Sequence, residues 1–490
     1  MSKEIPLGLS FDDVLLVPCL SDVLPPEIDL GTLLVRGMPM KIPVLSAAMD
    51  TVTEDKLAIG LAREGGVGVI HRNCAVIRQC ELVETVKRSE HTVVDKPITV
   101  RPETTIRELH QIMREKRISG FPVVDDDGVL KGMVTRRDIR FLEPDGRQVK
   151  EVMTPRERLV TAPPNTSLSD AKSILYKHRI EKLPLVDKRG RLTGMMTGKD
   201  IEKRMMFQES CKDEYGRLRA GAAVGVGDDA VARAQALAEA GADCLFIDAA
   251  TGHTRRVVTI LTEIRKKVDD VPVVAGNVVT EQGALDLIRA GASAVKVGLG
   301  PGSICTTRVV SGVGVPQFTA IQTVARVCRK KRVPLIADGG IRFSGDILKA
   351  LAAGADSVMI GSLFAGTEES PGSTVIWQGK PFKEYWGMGS IKAMRKGSSD
   401  RYGQNASGKL VPEGVEARVP YRGSLGMTVA QLMGGVRSGM GYIGAKNLQT
   451  LRERARFVRL TPGGLRESQT HDVVVSEEPV SPMTGAADGE

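Results

Sequence analysis

The chain has 490 residues, of which 42% are hydrophobic and 26% charged, with a formal charge of +9. It is too long for one ordinary domain, and no run approaches the roughly 18 apolar residues that a membrane span needs. Seven cysteines, at 19, 74, 80, 211, 244, 305 and 328, are odd in number and scattered, which argues against a disulfide framework or a close-spaced zinc site and for a reducing cytoplasm. The first residues lack the apolar core of a signal peptide. Aromatics make up only 4%, too few for stacking platforms on single strands, so the basic balance fits anionic small molecules better than nucleic acid.

In chain order, strand-like apolar runs occupy 43–46 and 66–70 and return at 244–248, 272–276, 294–297, 334–338 and 357–361. Ala/Leu-rich helical patterns at 230–240, 281–290 and 344–353 lie between the later ones. A polar or glycine residue repeatedly closes the strand: Asp248, Gly276-Asn277, Gly298, Asp338-Gly339-Gly340 and Gly361-Ser362. That is how a (β/α)₈ barrel places its active face, at the carboxyl ends of its strands. An open doubly wound sheet is the rival, but no G-x-G-x-x-G follows an early strand. The predicted architecture is an α/β TIM barrel, built from 1–92 and 205–472 around an inserted module at 93–204.

The insert carries an internal repeat. ISGFPVVDDDGVLKGMVTRRDI (118–139) aligns with IEKLPLVDKRGRLTGMMTGKDI (180–201) at a constant offset of 62 residues. Helical patterns at 105–117 and 167–179 precede the copies, so each reads as helix, strand, Asp-x-x-Gly turn, strand, helix. This resembles a tandem pair of CBS domains. The resemblance assigns Thr135 and Asp138, with Thr197 and Asp200, to the ribose of a regulatory adenine or guanine nucleotide. The plainer reading of each Thr-x-x-Asp is a helix cap. Residues 385–423 are polar, glycine-rich and long for a connection, which suggests a mobile flap over the active site. The acidic end, 473–490, reads as disordered.

The densest chemistry is in GPGSICTTR, 300–308. Glycines at 298, 300 and 302 free the backbone for positive φ and let a ligand approach the main chain, and Cys305 has no apolar run of its own to bury it. After the late strands, Gly339-Gly340 and Gly361-Ser362 fit a phosphate held by backbone N–H groups. Ser303 and Ser362 can add hydroxyl donors, and Asp338 can accept from a ribose diol. Around one barrel mouth these point to a phosphorylated ribose ligand beside a nucleophilic thiol.

Together with LSFDDVLLVP (9–18), SAAMDTVTE (46–54) and GSSDRY (397–402), this loop resembles the inosine 5′-monophosphate dehydrogenase family over nearly the whole chain. The resemblance implies that Cys305 attacks C2 of IMP, that hydride passes to NAD⁺, and that water releases XMP, the committed step toward guanine nucleotides. It makes Arg401 the base for water, assisted by Tyr402 and Thr307. It places IMP on Ser303, Asp338, Gly339, Gly340, Gly361, Ser362, Tyr385, Gly387, Met388, Gly389 and Glu413, with Met49 on the purine. Asp248, Asn277, Gly298 and Gly300 fall to the nicotinamide cofactor. Potassium falls to the Gly300, Gly302 and Cys305 carbonyls, completed by Glu467, Ser468 and Gln469 of a neighbour in a homotetramer, or in an octamer joined through the CBS pairs. Three residues depart from the usual pattern: Ala47, Gln469, and Thr251 within DAATG (248–252).

Two alternatives stand beside this. A GMP reductase would share barrel, cysteine and pocket but use NADPH and need no water-activating Arg401-Tyr402 pair. A nucleotide-sensing or nucleic-acid-binding regulator would owe its activity to the repeat and the basic charge, and would survive loss of Cys305.

Overall fold

The computed structural model describes residues 5–90, 97–116, 118–198, 201–202, 207–404 and 408–470. It divides into two compact units, Met1–Ser89 with Glu209–Glu490, and Glu90–Gln208.

The first unit is a closed barrel of eight parallel strands. In chain order these are β1 (Val44–Ser46), β2 (Val67–Ile70), β3 (Ala220–Val224), β4 (Cys244–Ile247), β5 (Val273–Val278), β6 (Ala294–Val297), β7 (Leu335–Asp338) and β8 (Ser357–Ile360). A helix follows each strand in turn: α1 (Asp55–Arg63), α2 (Val76–Arg88), α3 (Ala230–Glu239), α4 (Arg255–Lys267), α5 (Glu281–Arg289), α6 (Gln317–Lys331), α7 (Ser344–Ala353) and, after a long excursion, α8 (Leu425–Ile443). Parallel strands need such crossovers. Side chains alternate across the pleat. Leu45, Val67, Val69, Cys244, Phe246, Val274, Ala294, Ile336 and Met359 fill the interior, while Leu245, Ile247, Val273, Val295, Val297, Leu335 and Val358 pack outward on the helices. A hairpin, Thr32–Val35 with Met38–Met40, adds Leu34, Val35, Met38 and Met40 to the interior beside the first residues of β2, β4 and β6. It plugs the amino-terminal end.

Strand β3 was missing from the sequence-based set. Its Ala-Gly-Ala-Ala-Val composition has little strand propensity, because the barrel wants small residues there: a β-carbon on Gly221 would lie 2.7 Å from the ring of Phe246. Helix starts are capped as the loops require. Thr254 accepts from the Val257 N–H at 3.2 Å and Thr280 from Gly283 at 3.1 Å.

The expected flap, 385–423, is partly sheet. Thr374–Trp377, Lys380–Trp386 and Glu416–Pro420 form a three-stranded antiparallel sheet, so only the middle of the segment is a connection, and it carries short helical turns at Ile391–Ala393 and Ser399–Tyr402.

The second unit repeats itself. Helix Ile106–Lys116 precedes strands Gly120–Val124 and Leu130–Thr135, and Leu168–His178 precedes Lys182–Val186 and Leu192–Thr197. Each turn is held by its first aspartate. Asp125 accepts from the N–H groups of Asp127 and Val129, and Asp187 from those of Arg189 and Arg191. The 62-residue offset recurs in the pairing, since Val100 bridges Val123 as Ala162 bridges Leu185. One expectation fails: after Thr135 the chain makes successive turns instead of a helix. Asp138 folds back to accept from the Thr135 N–H and hydroxyl at 2.7 and 2.8 Å, and the turns end at Phe141. Asp200 and the tail 473–490 lie outside the described residues.

Candidate active site

A cavity of about 350 Å³ opens at the carboxyl ends of the barrel strands. All of the barrel-side residues named above line it: Cys305 and Thr307; Ser303, Asp338, Gly339, Gly340, Gly361 and Ser362; Met49, Tyr385, Gly387, Met388, Gly389 and Glu413; Asp248, Asn277, Gly298, Gly300 and Gly302; and Arg401 with Tyr402. Glu467, Ser468 and Gln469 do not. They end an exposed helix, Pro462–Glu467. Thr135, Asp138 and Thr197 belong to the other unit.

Cys305 follows β6 on a loop whose turns demand glycine. Gly298 sits at φ +140°, where a β-carbon would lie 2.3 Å from the Asp338 carbonyl, and Gly300 at φ +73°. The Cys305 N–H donates to the Gly302 carbonyl at 3.0 Å, and Sγ lies 3.2 Å from Thr307 Oγ1. The loop is joined to the far side of the mouth by backbone hydrogen bonds. Thr306 N–H donates to Glu413, Val415 N–H to Ile304, Glu413 N–H to Gly389 and Gly387 N–H to Val415, all at 3.0–3.1 Å. The Cys305 loop and the expected substrate-binding residues Gly387, Met388, Gly389 and Glu413 are therefore one framework.

Beneath them lies a charged group that the sequence reading missed. Lys296, inward-facing on β6, reaches Asp338 Oδ2 at 2.5 Å and also Asn277 Oδ1. Asn277 Nδ2 donates to Asp338 at 3.0 Å and to the Gly298 carbonyl at 2.8 Å. A break in the β5–β6 register between Gly276 and Val278 turns Asn277 inward. Burial pushes the Asp338 carboxyl up, but Lys296, Asn277 and Arg401 outweigh it and hold it below its ordinary value. An ionised acceptor results, suited to a sugar diol. The only sign in the sequence is a lysine in the otherwise apolar run 294–297.

Gly361 keeps the pocket wall thin, since a β-carbon there would lie 2.9 Å from the Tyr385 hydroxyl. Burial raises the Tyr385 phenol, with Ser303 pulling the other way. With Ser303, this places polar groups around the glycine loops after β7 and β8, where barrels commonly take phosphate.

Over the mouth, Arg401 Nη1 binds the Asp248 carboxylate at the end of β4, and the Arg401 carbonyl accepts from the Ala250 N–H at 3.1 Å. Burial draws the guanidinium down, yet Asp248, Tyr402 and Asp338 more than offset this and hold it above its usual range. Burial also pushes Tyr402 up to about 12, against Arg401. A β-carbon on Gly389 would meet the Tyr402 hydroxyl at 2.7 Å. Of the three departures, Ala47 is a buried part of the wall, whereas Thr251 and Gln469 are exposed. Among the described residues no cluster of three or more His, Cys, Asp or Glu could hold a metal ion, and no helix is long and apolar enough to cross a membrane.

Comparison with known proteins shows the family. Residues 8–471 match the family model described as "IMP dehydrogenase / GMP reductase domain". The chain is 54% identical to inosine-5′-monophosphate dehydrogenase of Aquifex aeolicus, covering 98% of each chain. To the enzyme of that name from Bacillus subtilis it is 53% identical, covering 97% of each. Among solved structures it is similar to a cysteine-to-alanine variant of GMP reductase from Trypanosoma brucei in complex with guanosine 5′-monophosphate, at a TM-score of 0.89 and 39% identity, over 96% of this chain and 99% of that one. A complex of the Trypanosoma brucei enzyme with guanosine 5′-triphosphate gives a TM-score of 0.79 at 35% identity, over 94% and 99%.

Proposed function

The chain belongs to the IMP dehydrogenase / GMP reductase family, and on that premise we propose that it oxidises IMP to XMP with NAD⁺ and water. The observation that carries this reading is the Cys305 thiol, on a glycine loop at the barrel mouth and 3.2 Å from Thr307 Oγ1, in one cavity with Asp338 and Arg401.

In the first half-reaction the Cys305 thiol gives up its proton to solvent, Sγ bonds to C2 of the purine, and the C2 hydrogen departs with both electrons as hydride. NAD⁺, when bound, supplies the hydride acceptor. Asp248 and Asn277 are the residues that would hold its nicotinamide ribose; Asp248 Oδ2 is a buried acceptor without a hydrogen bond, which fits a hydroxyl donor. Asp338 takes the substrate's ribose, Ser303, Gly339, Gly340, Gly361 and Ser362 its phosphate, and Met49 with Tyr385, Gly387, Met388, Gly389 and Glu413 its base side. In the second half-reaction water adds to C2, the C2–S bond breaks and Cys305 regains a proton. Arg401 orients that water, with Tyr402 and Thr307 beside it. While Asp248 holds it, Arg401 stays protonated, so it can accept a proton only after leaving Asp248.

Potassium fits the loop by donor chemistry. Carbonyls of Gly300, Gly302 and Cys305 are hard neutral donors, and Glu467, Ser468 and Gln469 of a neighbouring copy would complete the shell in a cytoplasmic homotetramer. The repeat unit reads as a tandem CBS regulatory module. Asp138 accepts from Thr135 through Oδ2, which leaves Oδ1 to accept from a nucleotide ribose.

The test is direct. Purified protein given IMP and NAD⁺ should produce NADH and XMP in equal amounts. Turnover of GMP with NADPH, and none of IMP with NAD⁺, would overturn the reading in favour of a reductase.

A further inference from the structure

Arg72 lies on the loop after β2 and its side chain is only 10% exposed. Nη2 donates to Asp400 Oδ1 at 2.8 Å, and Nε lies 3.8 Å from Asp248 Oδ2. Asp248 also holds Arg401. The four charges alternate in sign along a chain, Asp400, Arg72, Asp248, Arg401. The outer two belong to the turn Ser399–Tyr402 and the inner two to the barrel. The barrel leaves room for this chain, since a β-carbon on Gly225 would lie 2.9 Å from Arg72 Nη1 and 3.1 Å from Asp400 Oδ2. A second carboxylate reinforces it next door. Asp50 accepts from Trp386 Nε1 at 2.8 Å and from Asn73 Nδ2 at 2.9 Å, joining the loop after β2 to the stem of the same excursion.

Without Arg72, Asp400 and Asp248 would lose the cation that contacts both, and like charges repel. Asp248 holds Arg401 through Oδ1 and leaves Oδ2 open to a ribose hydroxyl, so the latch acts through where it seats the 397–402 segment. We propose that Arg72 is the positioning residue that latches the 397–402 segment onto the barrel and so sets Arg401 for hydrolysis. The inference rests on the IMP-oxidising reading above.

The test separates the two half-reactions in the full-length protein. Mixing Arg72→Ala with IMP and NAD⁺ should give a first-turnover burst of NADH within about two-fold of wild type, followed by a steady rate about ten-fold lower. Intact-protein mass measured in the steady state should show a larger fraction of chain carrying the purine adduct. Arg72→Lys should recover most of the steady rate. Asp400→Asn, a change at the rim that spares the barrel loop, should reproduce the loss, and the double variant should be no slower than the worse single one. A steady rate unchanged in Arg72→Ala and Asp400→Asn overturns the latch. Burst and steady rate falling together, or strictly additive losses, overturn it equally. Absence of any NADH from the wild-type protein would instead sink the functional reading on which the latch depends.

Discussion

Lys296 on β6 binds the carboxylate of Asp338 on the neighbouring β7 at 2.5 Å, inside the barrel mouth. A buried ion pair is not by itself a source of stability, but removing one partner exposes what it does. Asp338 lies below its ordinary value of 3.8. Its ionised form therefore contributes fully above that ordinary value, and the contribution is lost only as pH falls through the lower folded value. In Lys296→Met, burial, already the largest single influence, is no longer outweighed and raises Asp338 instead. The variant should be destabilised by about 3 kcal/mol, and its KM for IMP should climb as pH is lowered from about 8 to 5, a range where wild type is flat. KM measured across that range checks it; parallel profiles would remove Asp338 ionisation from substrate binding.

The contrast between Cys305 and Lys296 shows what a sequence exposes. Cys305 was legible because its own neighbours, Gly300, Gly302 and Ser303, carry the signal within a few positions. The partners of Lys296 and Arg72 are 42 and 328 residues away in sequence, and only barrel closure brings them together. Alternation would have assigned Lys296 to an inward line once β6 was recognised, but a single lysine in a four-residue run does not announce it. Strand β3 was hidden for a packing reason: its Ala-Gly-Ala-Ala-Val run makes room for Phe246 rather than supplying bulk. Seven strands and the closing polar residues sufficed for the barrel, because the period-2 pattern and the strand ends are local features.

Arg401 is held by Asp248 as a cation, and the proposed role assigns it to the second half-reaction alone. Arg401→Ala should keep a burst of NADH close to wild type while steady turnover falls by at least about 10²-fold. Stopped-flow absorbance resolves the two phases, and loss of the burst would move Arg401 to the hydride step. Tyr402 is pushed up to about 12, so its phenol stays neutral through the working range. Any limb of the pH–rate profile well below that value should persist in Tyr402→Phe.

Gly298 joins the fold to the site. Its φ of +140° suits glycine, and a β-carbon would lie 2.3 Å from the Asp338 carbonyl, a backbone atom that cannot swing away. Gly298→Ala should cost about 2–4 kcal/mol of stability and displace Asp338 and the Cys305 loop together. Denaturant unfolding should show the loss with an unchanged m-value, whereas Gly37→Ala, at φ +82° with open space around it, should cost about 1 kcal/mol and leave kcat intact. Equal effects at the two sites would remove the special role of the Gly298–Asp338 contact.

The repeat unit, Glu90–Gln208, interrupts the barrel between α2 and β3 in sequence, and the residues that line the cavity at the barrel mouth belong to the first unit. Each of its halves has its own core, Phe121 with Val123 and Val134 in one and Leu183 with Leu185 and Met196 in the other. Replacing 90–208 by a short Gly/Ser linker should therefore preserve kcat and the KM for IMP within about three-fold, because loop-closure cost changes slowly with length. If the unit is the regulatory module, the shortened enzyme should lose any response to ATP or GTP that the full chain shows. Asp138→Ala in the full chain should weaken that response without touching basal turnover, since among the described residues the Asp138 side chain is engaged only with Thr135 of its own turn. Initial rates titrated with each nucleotide decide it, and a shortened enzyme that still answers would place the regulatory site on the barrel.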